Sequence, residues 1–242
     1  SGPTVAGGQV YLTDRPAKPG EQIKLGSFSR NEYAAMERVL CLDAADGRVL
    51  WTHQWPCSYN IAYGTGPRAT PTVADGKVFV LGAMGDLLCL EARTGKVVWH
   101  KHLKEEYGAS SPIWGFSCSP LVEGGKVICT VGGRGGTVMA FDAATGREAW
   151  RALSAKEIGY SSPLLCTLTG RRQMVMWHAD GLSGLDPATG QVLWSAPFPA
   201  RFGMAIVTPA LDGDRLAVSC QFDGAAVFRV RADAGGTLSA EV

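Results

Sequence analysis

Apolar and polar positions along the chain fall into short, repeated blocks. Four times a nearly continuous apolar run meets an acid, crosses a small polar turn and resumes as a second run ending in tryptophan. The four copies are Val39–Trp51, Leu87–Trp99, Val138–Trp150 and Leu182–Trp194. In each copy the acid (Asp43, Glu91, Asp142, Asp186) stands four residues before a glycine (Gly47, Gly95, Gly146, Gly190) and eight before the tryptophan (Trp51, Trp99, Trp150, Trp194). This pattern predicts strand, tight turn, strand. The acid accepts hydrogen bonds from turn amides, and glycine supplies a positive φ without a steric penalty. An unbroken apolar run suits a strand covered on both faces. The tryptophan is large enough to cover a neighbouring unit and hold two units in register. These acids, glycines and tryptophans therefore read as docking scaffold.

A second pattern precedes each copy: a proline, a short apolar run, a polar turn and another apolar run, clearest from Pro71 to Val80. Proline suits the first strand of such a unit, where a missing amide donor does least harm. Each unit is then four antiparallel strands, A to D, in up-and-down order. The expected units are residues 3–51, 71–99, 119–150, 162–194 and 208–242 of a single domain, 1–242. The tryptophans step by 48, 51 and 44 residues, and four-stranded units at that period predict an all-β fold, a β-propeller of about five blades. The fifth unit stops where its tryptophan should come, so the chain is expected to be cut inside a longer array. Gly-His and Trp-Asp signatures of the WD40 type are absent from the sequence.

Composition narrows the functional classes. With 46% hydrophobic residues among 242, the chain can bury a sizeable core. Its 23 basic and 22 acidic residues give a net charge of +1, with no charge block to favour nucleic acid or a membrane surface. No apolar run has the length of a membrane span. Seven cysteines form no Cys-x-x-Cys and no adjacent pair. Cys41, Cys89, Cys129 and Cys220 read as small buried apolar residues, whereas Cys57 and Cys118 fall in expected loops and could be reactive.

The acid-x-x-Thr-Gly-x-x-x-Trp unit, seen in Glu91…Thr94-Gly95…Trp99, Asp142…Thr145-Gly146…Trp150 and Asp186…Thr189-Gly190…Trp194, resembles the pyrroloquinoline-quinone-type propeller repeat. Asp43…Asp46-Gly47…Trp51 departs only at the threonine. The resemblance covers almost the whole chain. It implies blades locked by tryptophan docking, a ring of seven or eight blades, and an exported, periplasmic setting. By look the chain is most similar to the cofactor-free members of that group, among them the propeller lipoprotein of outer-membrane assembly.

Blade topology puts the A–B and C–D turns at one end and the B–C and D–A connections at the other. The long connections, Asp14–Glu37, Thr52–Ala69, His100–Cys118, Arg151–Tyr160 and Ser195–Ile206, are all of the second kind, and long loops on a rigid scaffold carry function. Eleven of the chain's 21 aromatics fall there: Phe28, Tyr33, Trp55, Tyr59, Tyr63, Tyr107, Trp114, Phe116, Tyr160, Phe198 and Phe202. The candidate binding residues are Arg68, Trp114, Phe116, Tyr160, His178, Asp180 and Gln221. Arg68 could hold a partner's carboxylate or carbonyl, or pair with a loop acid. His178 and Asp180 lack a nucleophile and read as a loop turn. His100 and His102 lack a visible third donor, so no metal site is expected.

Two functions lead. One is a non-catalytic interaction scaffold that docks another protein or an extended peptide, by its loop face or by strand addition at a blade edge, with a second chain as a candidate to complete the ring. The other, which the resemblance implies, is a quinone-dependent dehydrogenase with Ca²⁺; a sensor domain of a larger protein stands beside these as a third possibility. Dehydrogenases of that kind use a tryptophan floor, an aspartate base, a bound cation and often an adjacent cysteine pair. No such cysteine pair occurs here, and Asp14, Glu21, Glu32, Glu105, Glu106, Asp180 and Asp223 form no recognisable metal set. No resident cofactor is expected.

Overall fold

The computed structural model describes residues 1–17, 20, 28–133 and 135–242. The expected insertion from Asp14 to Glu37 lies partly outside them, as does Glu21. The chain forms five four-stranded antiparallel sheets, the blades of a β-propeller fold. In order they are β1 (Thr4–Ala6), β2 (Gln9–Asp14), β3 (Asn31–Asp43) and β4 (Val49–Ile61); β5 (Thr72–Ala74), β6 (Lys77–Leu81), β7 (Asp86–Glu91) and β8 (Val97–His102), followed by the short helix α1 (Leu103–Tyr107); β9 (Leu121–Glu123), β10 (Lys126–Thr130), β11 (Val138–Asp142) and β12 (Glu148–Ala152); β13 (Leu164–Leu168), β14 (Arg171–His178), β15 (Gly181–Leu185) and β16 (Val192–Pro197); and β17 (Ala210–Asp212), β18 (Arg215–Cys220), β19 (Gly224–Ala232) and β20 (Leu238–Glu241). No helix among the described residues is long and apolar enough to cross a membrane.

The chain divides into two compact units, residues 1–122 with 143–146 and residues 123–142 with 147–242. In the first, Val39, Cys41, Val78, Val80, Leu88 and Leu90 pack together with Tyr11 and Trp55. In the second, Val175, Trp177, Leu182, Leu216, Phe228 and Val230 form the core. Both cores are built from the central strands, in keeping with their unbroken apolar runs.

The turns carry one plan. Gly47, Gly95, Gly146 and Gly190 have φ of 74°, 70°, 69° and 76°. The amides of Gly47, Gly95 and Gly190 donate to the carbonyls of Asp43, Glu91 and Asp186 at 2.8–2.9 Å. Asp233 to Thr237 makes a turn one residue shorter, in which Gly236, at φ 81°, donates to the Asp233 carbonyl at 3.0 Å. Opposite the second strand of each copy the register slips by one residue at the same place, between Cys41 and Leu42, Cys89 and Leu90, Ala140 and Phe141, and Gly184 and Leu185. Such a bulge re-aims the next side chain, which here is the tryptophan.

Three tryptophans lie on the glycine of the following copy. Trp51 rests against Gly95 and donates from Nε1 to the Ala92 carbonyl at 2.9 Å. Trp99 rests against Gly146 and donates to the Ala143 carbonyl at 3.1 Å. Trp150 rests against Gly190 and donates to the Pro187 carbonyl at 3.2 Å. Two expected docking positions differ. At Gly47 an added Cβ would meet nothing within 4 Å among the described residues. Trp194 donates instead to Gln173 Oε1 of its own sheet and covers Gly184.

Several expected loops are strands. Asn31–Glu37 and Thr52–Ile61 belong to the long β3–β4 hairpin, so Tyr33, Trp55 and Tyr59 are strand residues, Trp55 and Tyr59 buried. Pro56 interrupts the apolar pattern and reads as a loop residue. It sits on β4, the outer strand of its sheet, where proline's missing donor is tolerated. His100 and His102 end β8, and the connection after them opens with α1 rather than a loop. Cys57 is likewise on β4 and half-buried, with burial pushing its thiol up. Cys118 is fully buried, while Cys220 is only partly so.

Candidate functional site

In the first unit the β3–β4 hairpin carries an acid into the interior. Glu37 and Trp55 are cross-strand partners, and both are buried. Glu37 Oε1 accepts hydrogen bonds from the Tyr59 hydroxyl at 2.5 Å and from the Ala83 amide at 3.1 Å. Its Oε2, like Trp55 Nε1, is buried without a hydrogen-bond partner among the described residues. Burial pushes the carboxyl up to about 7, against the opposing effect of the Tyr59 and Ala83 hydrogen bonds. Gly82 makes room for the acid, since a Cβ there would clash with Glu37 Oε2.

Arg68 does not reach outward. Its guanidinium donates to the carbonyls of Trp114 at 2.6 Å, Tyr63 at 2.7 Å and Ala62 at 3.4 Å. It ties two connections together. Trp114 is half-buried and lies 5.6 Å from Phe28, ring centre to centre. Phe116 is fully buried against Gly85, and its amide donates to the Ala83 carbonyl at 2.9 Å. The expectation of an exposed binding aromatic at 116 is thus corrected: the residue plugs the β6–β7 turn.

The histidine pair does have a third donor. Asp86 Oδ1 lies 3.0 Å from His100 Nε2 and 3.1 Å from His102 Nδ1. The sequence hides this, because Asp86 is 14 positions from His100 and only the strand register brings them together.

In the second unit His178 ends β14 and Gly181 begins β15, so the expected loop is a two-residue turn. His178 is 8% exposed, and burial pushes its imidazole down. Its Nε2 lies 3.1 Å from Ser183 Oγ, which is 2.9 Å from Ser195 Oγ. The backbone amide of Asp180 donates to His178 Nδ1 at 3.4 Å. With Nδ1 accepting from the Asp180 amide, His178, Ser183 and Ser195 form a hydrogen-bonded chain. The carboxylate of Asp180 is exposed and accepts from the Lys156 amide at 3.3 Å. Tyr160 is 7% exposed, its amide held by the Ala205 carbonyl at 2.7 Å. Gln221 is exposed in the β18–β19 turn.

Beside Gln221 lies a surface that includes Phe202, one of the loop aromatics of the expected binding face. Phe202 and Phe222 meet edge to face at 5.6 Å while remaining 54% and 42% exposed. Ile206 and Val207 nearby in sequence are also exposed. The Arg201 amide donates to Asp223 Oδ2 at 2.8 Å and latches this connection to the β18–β19 turn. Phe202 adopts φ 56°, a conformation that a bulky residue rarely takes.

The fold recurs among solved structures. Quinohemoprotein alcohol dehydrogenase from Comamonas testosteroni is similar at 18% identity and a TM-score of 0.59, over 95% of this chain and 39% of that one. The chain thus spans well under half the length of that relative. The computationally designed Ika8 protein is similar at 13% identity and a TM-score of 0.51, over 94% of this chain and 70% of the other. BamB from Moraxella catarrhalis aligns at 17% identity over 83% of this chain and 70% of that one, with a TM-score of 0.39. No curated protein sequence matches significantly. The sequence match is to a family: residues 35–237 fit the model described as outer membrane protein assembly factor BamB, and the chain belongs to that family of pyrroloquinoline-quinone-type propeller repeats.

Proposed function

We propose that the chain is a non-catalytic interaction propeller, exported in its parent protein, that docks an apolar, extended segment of another protein. The observation that carries this is the Phe202–Phe222 pair, in edge-to-face contact yet left 54% and 42% exposed, on a connection that the Arg201 amide latches to Asp223, with Ile206 and Val207 exposed on the same connection. Rigid aromatics presented to solvent favour partner contact, since they bury large area with little loss of side-chain freedom. Two polar candidates are engaged within the chain: Arg68 with three carbonyls, His178 with Ser183.

The residues present do not fit a quinone with Ca²⁺. Trp177 is fully buried in the core of the second unit and offers no floor. Asp14 is paired with Arg38, and Asp223 with the Arg201 amide. Ca²⁺ takes six to eight oxygen ligands, and the one group of metal-capable side chains among the described residues contains a single carboxylate. Adding the quinone with Ca²⁺ to the full chain is expected to leave its native mass and visible spectrum unchanged. A stoichiometric adduct would send the reading to the dehydrogenases.

Docking is tested by selecting extended apolar peptides from a displayed library against the full chain and measuring the best by calorimetry. The double variant Phe202→Ser, Phe222→Ser is expected to weaken that peptide about 30-fold or more, as for a hot-spot pair worth ~2 kcal/mol. An unchanged affinity in the double variant overturns this surface as the docking site.

A further inference from the structure

Strand register gathers three metal-capable donors at one end of the second sheet. His100 and His102 are two residues apart on β8, so their side chains leave the same face. Asp86, the first residue of β7, stands directly across from His102 and diagonally from His100, whose own partner is Leu88. The result is a compact set: the two rings are 4.2 Å apart, centre to centre, and all three ligand atoms lie within 4.8 Å of one another. Both imidazoles address the same oxygen, Asp86 Oδ1. A tetrahedral Zn²⁺ with bonds of about 2.0–2.1 Å holds its donors ~3.3 Å apart. The two histidine–aspartate separations, 3.0 and 3.1 Å, are within a few tenths of an ångström of that.

The surroundings hold these ligands still and leave one side open. All three sit on paired strands and not on loops, which favours a fixed geometry. The end of β8 is pinned by the Leu103 amide on the Gly85 carbonyl at 2.9 Å. Glu106 of α1 accepts from the His102 amide and from Lys101 Nζ, each at 2.8 Å. A pocket of about 270 Å³ adjoins Asp86 and His102, with Cys57, Ser58, Met84 and Leu103 among its walls. Exposure rises from Asp86 (13%) through His100 (25%) to His102 (51%), an entry path from solvent.

We propose that Asp86, His100 and His102 form a binding site for a divalent first-row transition metal, with Zn²⁺ as the fitting ion and its fourth position open to the pocket. Two imidazoles and one carboxylate match Zn²⁺, with Co²⁺, Ni²⁺ and Cu²⁺ as competitors in the usual order of affinity, and do not match Ca²⁺. The site is independent of the aromatic docking surface, which lies in the other compact unit.

The test is titration of the chelator-treated full chain with Co²⁺, followed by displacement with Zn²⁺. One equivalent of Co²⁺ is expected to give the visible bands of a four- or five-coordinate ion without a thiolate charge-transfer band, and Zn²⁺ should abolish them. His102→Gln, at a half-exposed position where folding is least at risk, is expected to lower affinity more than about 100-fold, and Asp86→Asn about 10- to 100-fold. A thiolate band would put the ion on the cysteines and overturn the proposal. So would unsaturable uptake, or wild-type affinity in the double variant His100→Gln, His102→Gln.

Discussion

Glu37→Gln is expected to remove a pH dependence of stability worth roughly 3 kcal/mol. The wild-type carboxyl titrates at 4.5 when unfolded and at about 7 in the folded chain, chiefly because burial disfavours its charge. Between those values the native state holds a proton that the unfolded state has lost, so stability falls as pH rises. The contribution is fully present below pH 4.5 and gone above about 7. At about 1.4 kcal/mol per pH unit the loss across that window is roughly 3 kcal/mol. Glutamine keeps an acceptor for Tyr59 and Ala83 but cannot ionise. Its amide also buries a donor where Oε2 now has no partner, at a pH-independent cost of about 1–3 kcal/mol. The readout is therefore the change with pH and not the absolute value. His53 and His178 are both pushed down by burial and act in the opposite sense below their ordinary value, but they are common to both proteins. Urea unfolding at pH 5 and pH 8 measures the difference. Parallel profiles for the two proteins would mean that Glu37 does not carry the proton.

That acid also shows why part of the molecule was not legible in the sequence. The repeated acid, glycine and tryptophan report local turn chemistry, and local chemistry survives in one dimension. They led directly to five four-stranded sheets and to a propeller. The β3–β4 extension follows the period of a strand, with Ala35, Glu37, Val39 and Cys41 all turned inward. A charged residue at an inward position and a proline at 56 break the apolar signal, so the stretch reads as a loop. What rescues it is tertiary: Tyr59 and the Ala83 amide satisfy the acid, and an outer strand tolerates the proline. Asp86 was missed for a related reason. Its meeting with His100 and His102 depends on the register of two strands, and register is set by a whole hairpin. Arg68 and Phe116 read only as candidate binding residues, because position along the chain does not show which way a side chain turns.

The repeated glycines look alike in sequence but occupy unlike surroundings, and substitution should separate them. Gly95→Ala is expected to cost about 3 kcal/mol and Gly47→Ala only about 1 kcal/mol. Both residues hold a positive φ, 70° and 74°, so both alanines meet the same left-handed strain. They differ in what the added methyl meets. At Gly95 it would stand 2.5 Å from Cε3 of Trp51, a contact that cannot persist, so the indole must lift from the turn. Lifting it also breaks the Nε1 hydrogen bond to the Ala92 carbonyl. At Gly47 nothing among the described residues lies within 4 Å of the added methyl. Gly190→Ala, which meets Trp150 at the same 2.5 Å, should follow Gly95→Ala. Urea unfolding of the three variants checks the order, with tryptophan fluorescence to report the displaced indole. Equal losses at positions 47 and 95 would show that the turn's backbone alone accounts for the glycine, and that contact between copies adds nothing measurable. The expected inequality would instead make the glycine a requirement of the preceding copy's tryptophan, so that the same residue type is kept in the repeat by two separable physical demands.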